Sequence, residues 1–140
     1  MPYEMKIFVS GIAGFLGSHL ADAFIKDGHH VVGCDSLIGG ELDNVPVEAE
    51  FYQYDCCFRN SMLKITKGCD LVYHTAATAY EGLSVFSPHL ITQNIVTGSV
   101  SLFSAAIENK VKRIVYCSSM ARYGNIKVPF NENDLINPVD

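Results

Sequence analysis

Tryptophan is absent from this 140-residue chain, and lysine and arginine number only 10 against 15 aspartates and glutamates, for a formal net charge of −5. No stretch concentrates the basic residues. An acidic chain without a basic face is a poor binder of nucleic acid or of an anionic membrane, so neither is expected as a partner. No apolar run approaches the roughly 18 residues of a membrane span. Residues 1–6 lead straight into a short apolar run without a small-residue cleavage site, so no signal peptide is expected and the reading is cytoplasmic. The five cysteines, Cys34, Cys56, Cys57, Cys69 and Cys117, are odd in number and lack Cys-x-x-Cys or Cys/His ligand spacing. They read as buried thiols of a reducing compartment, not as a disulfide framework. His29 and His30 sit together beside Gly28 in a turn, and no metal site is indicated. Repeats, low-complexity stretches and linkers are missing too.

What is present is an ordinary globular composition, 49% hydrophobic and 18% charged with 11 glycines, and a length that suits one domain over residues 1–140. Two periods alternate along it, the signature of βα units. Residues 6–10, 30–35, 50–55, 70–76 and 113–119 read as strands. Residues 14–27 read as a helix, with Phe15, Leu16, Leu20, Ala23 and Phe24 at helical spacing and Gly28 to end it. A short helix is predicted over 60–67 and a long one over 88–109, with Ser87 as cap and Pro88 in the first turn. Residues 36–49 and 77–87 read as loops, and the last 20 residues have no regular period. The expectation is an α/β fold, a Rossmann-type, doubly wound parallel sheet of about five strands with flanking helices.

The sharpest motif is Gly11-Ile12-Ala13-Gly14-Phe15-Leu16-Gly17, between the first strand and first helix. In a dinucleotide-binding turn Gly11 allows the tight turn, Gly14 lets backbone reach a pyrophosphate, and Gly17 lets helix and strand pack closely. The helix N-terminus then offers unpaired N–H groups and a positive dipole to phosphates. Asp35 ends the second strand, 18 positions after Gly17. A carboxylate there accepts from both ribose hydroxyls and repels a 2′-phosphate; with no lysine or arginine between Lys26 and Arg59, NAD is favoured over NADP. The plainer alternative is that Asp35 caps a turn with Ser36.

These residues resemble the extended short-chain dehydrogenase/reductase family, in its NAD-dependent epimerase/dehydratase branch acting on nucleotide sugars. Asp35-Ser36-Leu37 is similar to the Asp-Asn-Leu that holds the ribose, and Asp55-Cys56 to the pair that contacts adenine. His74-Thr75-Ala76-Ala77 resembles the His-x-Ala-Ala that lines the cofactor beside the nicotinamide ribose, with His74 itself structural. Asn94, six residues after Pro88, resembles the family asparagine behind the active site. Ser118-Ser119-Met120-Ala121-Arg122-Tyr123-Gly124 resembles the Ser-Ser-x-x-x-Tyr-Gly block. Each has a plainer reading: Asp55 as a turn cap, Asn94 as a solvated polar residue, the two serines as a strand end.

The resemblance implies an NAD cofactor, a nucleotide-sugar substrate and a homodimer when intact. It assigns Gly11, Gly14, Phe15, Leu16, Gly17, Asp35, Ser36, Asp55, Cys56, Thr75, Ala76, Ala77 and Asn94 to cofactor binding. It makes Ser119 the catalytic residue, bonded to the sugar oxygen that loses its proton. The family base is a tyrosine in a Tyr-x-x-x-Lys motif on the helix after the fifth strand, its pKa drawn down by the lysine and the cationic nicotinamide. The chain ends at Asp140 before that motif is reached. Tyr123-Gly124-Asn125-Ile126-Lys127 spells it, but Gly-Asn inside and Val128-Pro129 after oppose a helix. The chain therefore reads as the N-terminal part of an enzyme, inactive by itself and prone to self-association through faces meant for missing elements. Met120 stands where dehydratases of the branch usually carry an acid, which favours an epimerase over a 4,6-dehydratase. A ketone reductase of the same superfamily and a non-catalytic NAD-binding module remain as alternatives.

Overall fold

The computed structural model describes residues 3–139. Met1, Pro2 and Asp140, the ends of the expected 1–140 domain, lie outside the described residues. Strand β1 (Lys6–Ser10), β2 (His30–Cys34), β3 (Glu50–Tyr52), β4 (Leu71–His74) and β5 (Arg113–Tyr116) form one parallel sheet in the order β3-β2-β1-β4-β5. The chain winds outward from β1 to β3, then crosses back to place β4 on the other side of β1. That reversal opens a crevice at the carboxyl ends of β1 and β4, where open α/β sheets bind ligands.

The strands are short apolar runs because both faces are covered. Ile7, Val9 and Val31 point to one face and meet Ala21, Phe24 and Ile25 of α1 (Phe15–Lys26). Phe8, Val32 and Val72 point to the other and meet Met62 and Ile65 of α2 (Arg59–Ile65), with Leu102, Ala105 and Ala106. Each large side chain so buried contributes about 2 kcal/mol relative to exposure. Helix α1 ends where the sequence predicts, at Gly28 with φ +84°, its N–H donating to the Ile25 carbonyl at 2.9 Å.

Four local readings change. The stretch expected as a loop before Ser87 contains α3 (Glu81–Phe86). The long helix expected from residue 88 is α4 (Pro88–Ile91), a π-helical segment Thr92–Thr97, and α5 (Gly98–Glu108) in succession. Ser87 occupies the cap position but its side chain makes no cap bond. The strands at the crevice end early, β3 at Tyr52 and β5 at Tyr116, so the chain beyond them is free to turn over the crevice.

The same helical run corrects the expectation about apolar length. Pro88–Glu108 spans 21 residues at mean hydropathy 1.4, long and apolar enough by composition to cross a membrane. The run was hidden because uncharged polar residues, not charged ones, interrupt it. In the fold those residues are bonded: Ser99 and Ser101 are buried and donate to the carbonyls of Ile95 and Cys57. Leu102, Ala105 and Ala106 of α5 lie in the core, whereas no residue of Pro88–Thr97 is buried.

Candidate functional site

The glycine turn between β1 and α1 is fixed by contacts too close for a side chain. Gly11 has φ +72°, and a Cβ there would sit 2.8 Å from the backbone of Ala76; a Cβ at Gly17 would sit 2.1 Å from the Gly11 carbonyl oxygen. The Gly11 N–H donates to the Cys34 carbonyl at 2.7 Å and the Gly14 N–H to the Gly11 carbonyl at 3.0 Å. No side chain caps α1, which leaves the first N–H groups of the helix free to meet an anion.

Asp35 stands at the centre of this half. Its carboxylate accepts from the Ala13 N–H at 3.1 Å through one oxygen and from the Leu37 N–H at 2.8 Å through the other. The second bond is the turn cap that the sequence left as an alternative, and the first ties the end of β2 to the glycine turn; each oxygen retains a lone pair. Leu37 has φ +62°, a strained conformation for a branched residue that this bond holds in place. Asp55 also closes a turn, accepting from the Cys57 N–H at 2.8 Å. Between the two aspartates the sulfurs of Cys34 and Cys56 lie 3.9 Å apart. The Cys56 thiol, then burial, hold Cys34 well above the usual thiol range, and burial pushes Cys57 up to about 12. Cys34 is therefore a neutral group of the cleft wall, not a nucleophile.

A single cleft of about 270 Å³ brings most of the expected residues together. Gly11, Gly14, Asp35, Ser36, Asp55 and Cys56 line one part, and Thr75, Ala76, Ala77 and Asn94 line the other. Phe15, Leu16 and Gly17 do not line it. The Phe15 ring lies 4.7 Å from His19 on the surface, Leu16 is half exposed, and Gly17 is buried under Gly11. Asn94 is no solvated bystander: its amide donates to the Thr78 hydroxyl at 3.0 Å.

Ser119 lies in an adjoining cleft with Tyr116, Cys117, Ser118 and Ile95, and the two clefts share Ala77, Thr78, Ala79 and Tyr80. Its hydroxyl accepts from the Ala121 N–H at 3.1 Å and caps the short 3₁₀ turn Met120–Tyr123. Tyr123 ends that turn, Gly124 follows at φ +60°, and Lys127 lies in irregular chain. The Tyr-x-x-x-Lys spelling thus has no helix to bring its ends to one face.

Several contributors carry no sequence signal of their own. Gly39 and Gly40 read as turn residues, but their place in the cleft wall arises from the loop folding back onto Ala13. The Ala13 carbonyl accepts both the Glu41 N–H and the Asn44 side-chain amide, each at 3.1 Å. Ser10, Ser99 and His74 form a buried set beneath the cleft that spacing cannot reveal, since they come from β1, α5 and β4.

A family model described as the NAD dependent epimerase/dehydratase family matches residues 7–140. Over 139 residues the chain is 37% identical to a UDP-glucose 4-epimerase of Lactobacillus helveticus, a match covering 97% of this chain and 42% of that relative. The crystal structure of UDP-glucose 4-epimerase from Thermotoga maritima with UDP-glucose superposes with a TM-score of 0.90 at 33% identity, over 96% of this chain and 45% of that one. The UDP-glucose 4-epimerase from Brucella ovis in complex with NAD gives 0.89 at 30% identity, over 96% and 42%. The chain therefore spans less than half the length of the relatives it matches.

Proposed function

This chain belongs to the NAD dependent epimerase/dehydratase family, and we propose that it is the NAD-binding part of a nucleotide-sugar epimerase. In that reading the intact enzyme oxidises a sugar hydroxyl by hydride transfer to NAD and re-reduces the keto sugar on its other face. The observation that carries the proposal is the continuous cleft running from the glycine turn and Asp35 to Asn94. The uncapped end of α1 and the space kept by Gly14 suit a pyrophosphate. Asp35, with lone pairs to spare, suits an unphosphorylated ribose. Asp55 and Cys56 suit the adenine end, and Thr75–Ala77 with Asn94 the nicotinamide end. When bound, NAD supplies the hydride acceptor; the chain binds it, orients its ring and keeps water from it. Ser119, in the adjoining cleft, is assigned to hold the reacting sugar oxygen.

Calorimetry on this chain tests the reading. NAD is expected to bind at least tenfold more tightly than NADP, and Asp35→Asn to erase most of that preference by removing the charge that repels the 2′-phosphate. Equal affinities in the parent chain would overturn the role of Asp35, and no binding of either would overturn the proposal.

A further inference from the structure

Beneath the cleft lies a line of buried polar side chains, Ser10, His74 and Ser99, that do not line it. His74, 2% exposed, closes β4. Its Nδ1 is 2.6 Å from the Ser10 hydroxyl at the end of β1, and its Nε2 is 2.8 Å from the Ser99 hydroxyl on α5. The Ser99 hydroxyl donates onward to the Ile95 carbonyl at 2.5 Å. The Ser10 hydroxyl receives the Ala76 N–H at 3.3 Å, and the Ser10 carbonyl receives the Thr75 hydroxyl at 2.6 Å.

The protons can be placed by elimination. Ser99 spends its proton on Ile95, so it accepts from His74, which puts the ring proton on Nε2. Nδ1 is then bare and accepts from Ser10, and Ser10 accepts from Ala76. Every hydrogen in the line is used once. A second ring proton would leave the Ser10 proton without an acceptor. The ring is held on its flanks by Tyr116, stacked at 5.6 Å, and by the edge-on Phe103 at 5.5 Å.

The two ends of the line are the two walls of one half of the cleft. Ala76 begins the segment that carries Ala77 and Thr78, and Ile95 adjoins Asn94 within the π-helical turn. Asn94 closes the circuit from above through Thr78. We infer that His74 is a positioning residue for the nicotinamide half of the cleft, its neutral ring setting the distance between the Ala76–Thr78 wall and the Asn94 turn. The inference rests on the reading of the cleft as an NAD site. The side chains of the adenosine half, Asp35 and Asp55, bond to the N–H groups of Ala13, Leu37 and Cys57 and make no bond to this line.

The test uses this chain with two ligands, NAD and ADP, measured by calorimetry. The second ligand occupies only the adenosine half. His74→Phe keeps an aromatic ring but loses both bonds; it is expected to weaken NAD about tenfold while ADP affinity stays within twofold. His74→Gln, with an acceptor and a donor on one side chain, should recover part of the NAD affinity. Loss of NAD and ADP affinity in equal measure would reduce His74 to a fold residue, and no change in either would overturn the inference outright. If His74→Phe does not fold, Ser99→Ala removes one bond and is expected to weaken NAD by about threefold with ADP unaffected; equal effects on both would again overturn it. Failure of the parent chain to bind NAD or ADP would overturn the cofactor reading, and this inference with it.

Discussion

On the β1–β2 side the cleft wall is backbone: Gly11 and Gly14 line it, Gly17 packs beneath Gly11 where no side chain fits, and Asp35 is anchored by two main-chain N–H groups. On the β4–β5 side the wall is made of side chains that hold one another, His74 with Ser10 and Ser99, Asn94 with Thr78. The first kind of wall is set by sterics that hardly change with solution conditions. The second is set by hydrogen bonds whose partners must keep one protonation state, in a region with little charge, and it ends in exposed residues, Cys117 to Met120. One crevice therefore combines a rigid half and an adjustable half.

The sharpest way to break the comparison is at the rigid half. Gly14 has φ −84°, which any residue adopts, so Gly14→Val is expected to fold and to lose NAD and ADP together, with no binding detectable at millimolar ligand. Thermal melting within a few degrees of the parent would show that only the space for the pyrophosphate was filled. Retained affinity in that folded variant would show that the turn does not hold the phosphates.

The next effect belongs to the adjustable half. Burial lowers His74 from its ordinary value near 6.5 to about 4. Between those values the unfolded chain binds a proton that the folded chain does not, so this stability component is present above the upper value and falls as pH falls, the loss being complete below about pH 4. The amount is about 3 kcal/mol. Urea midpoints of the parent and His74→Gln should therefore diverge in slope across that window, the parent losing more. Hydrogen exchange should place the acid opening at β4, β5 and α5 before β1 and α1; simultaneous opening would erase the distinction between the halves.

The smallest effect is expected beyond β5. Lys127→Ala should leave NAD affinity within twofold, because Lys127 stands outside both clefts and off any helix. A larger loss would mean that the chain past Met120 takes part in the adjustable half.

The same contrast explains what could be read from the residues alone. Strands β1, β2 and β4 announce themselves as apolar runs, and the Gly11–Gly17 spacing carries its own steric reason, so the rigid half is legible. Asn94 could be named only through resemblance, and its partner Thr78 not at all, because the bond between them depends on a π-helical turn that no periodicity marks. His74 was legible as structural but not as the link between β1 and α5. Phe15 and Leu16 are legible as part of the motif, yet both side chains are exposed and lie outside the cleft. The apolar length of Pro88–Glu108 is disguised by Thr92, Gln93, Asn94 and Thr97, in a segment that has no aspartate, glutamate, lysine or arginine until Glu108.

The double acceptance by the Ala13 carbonyl has a kinetic consequence. The Glu41 N–H and the Asn44 amide both pull the loop that carries Ile38–Gly40 onto one oxygen at the start of α1. Both bonds must open before the loop can lift from that oxygen. For a molecule lying under that loop, residence time is governed by the frequency of lifting, a property of Asn44 that equilibrium affinity alone would not reveal.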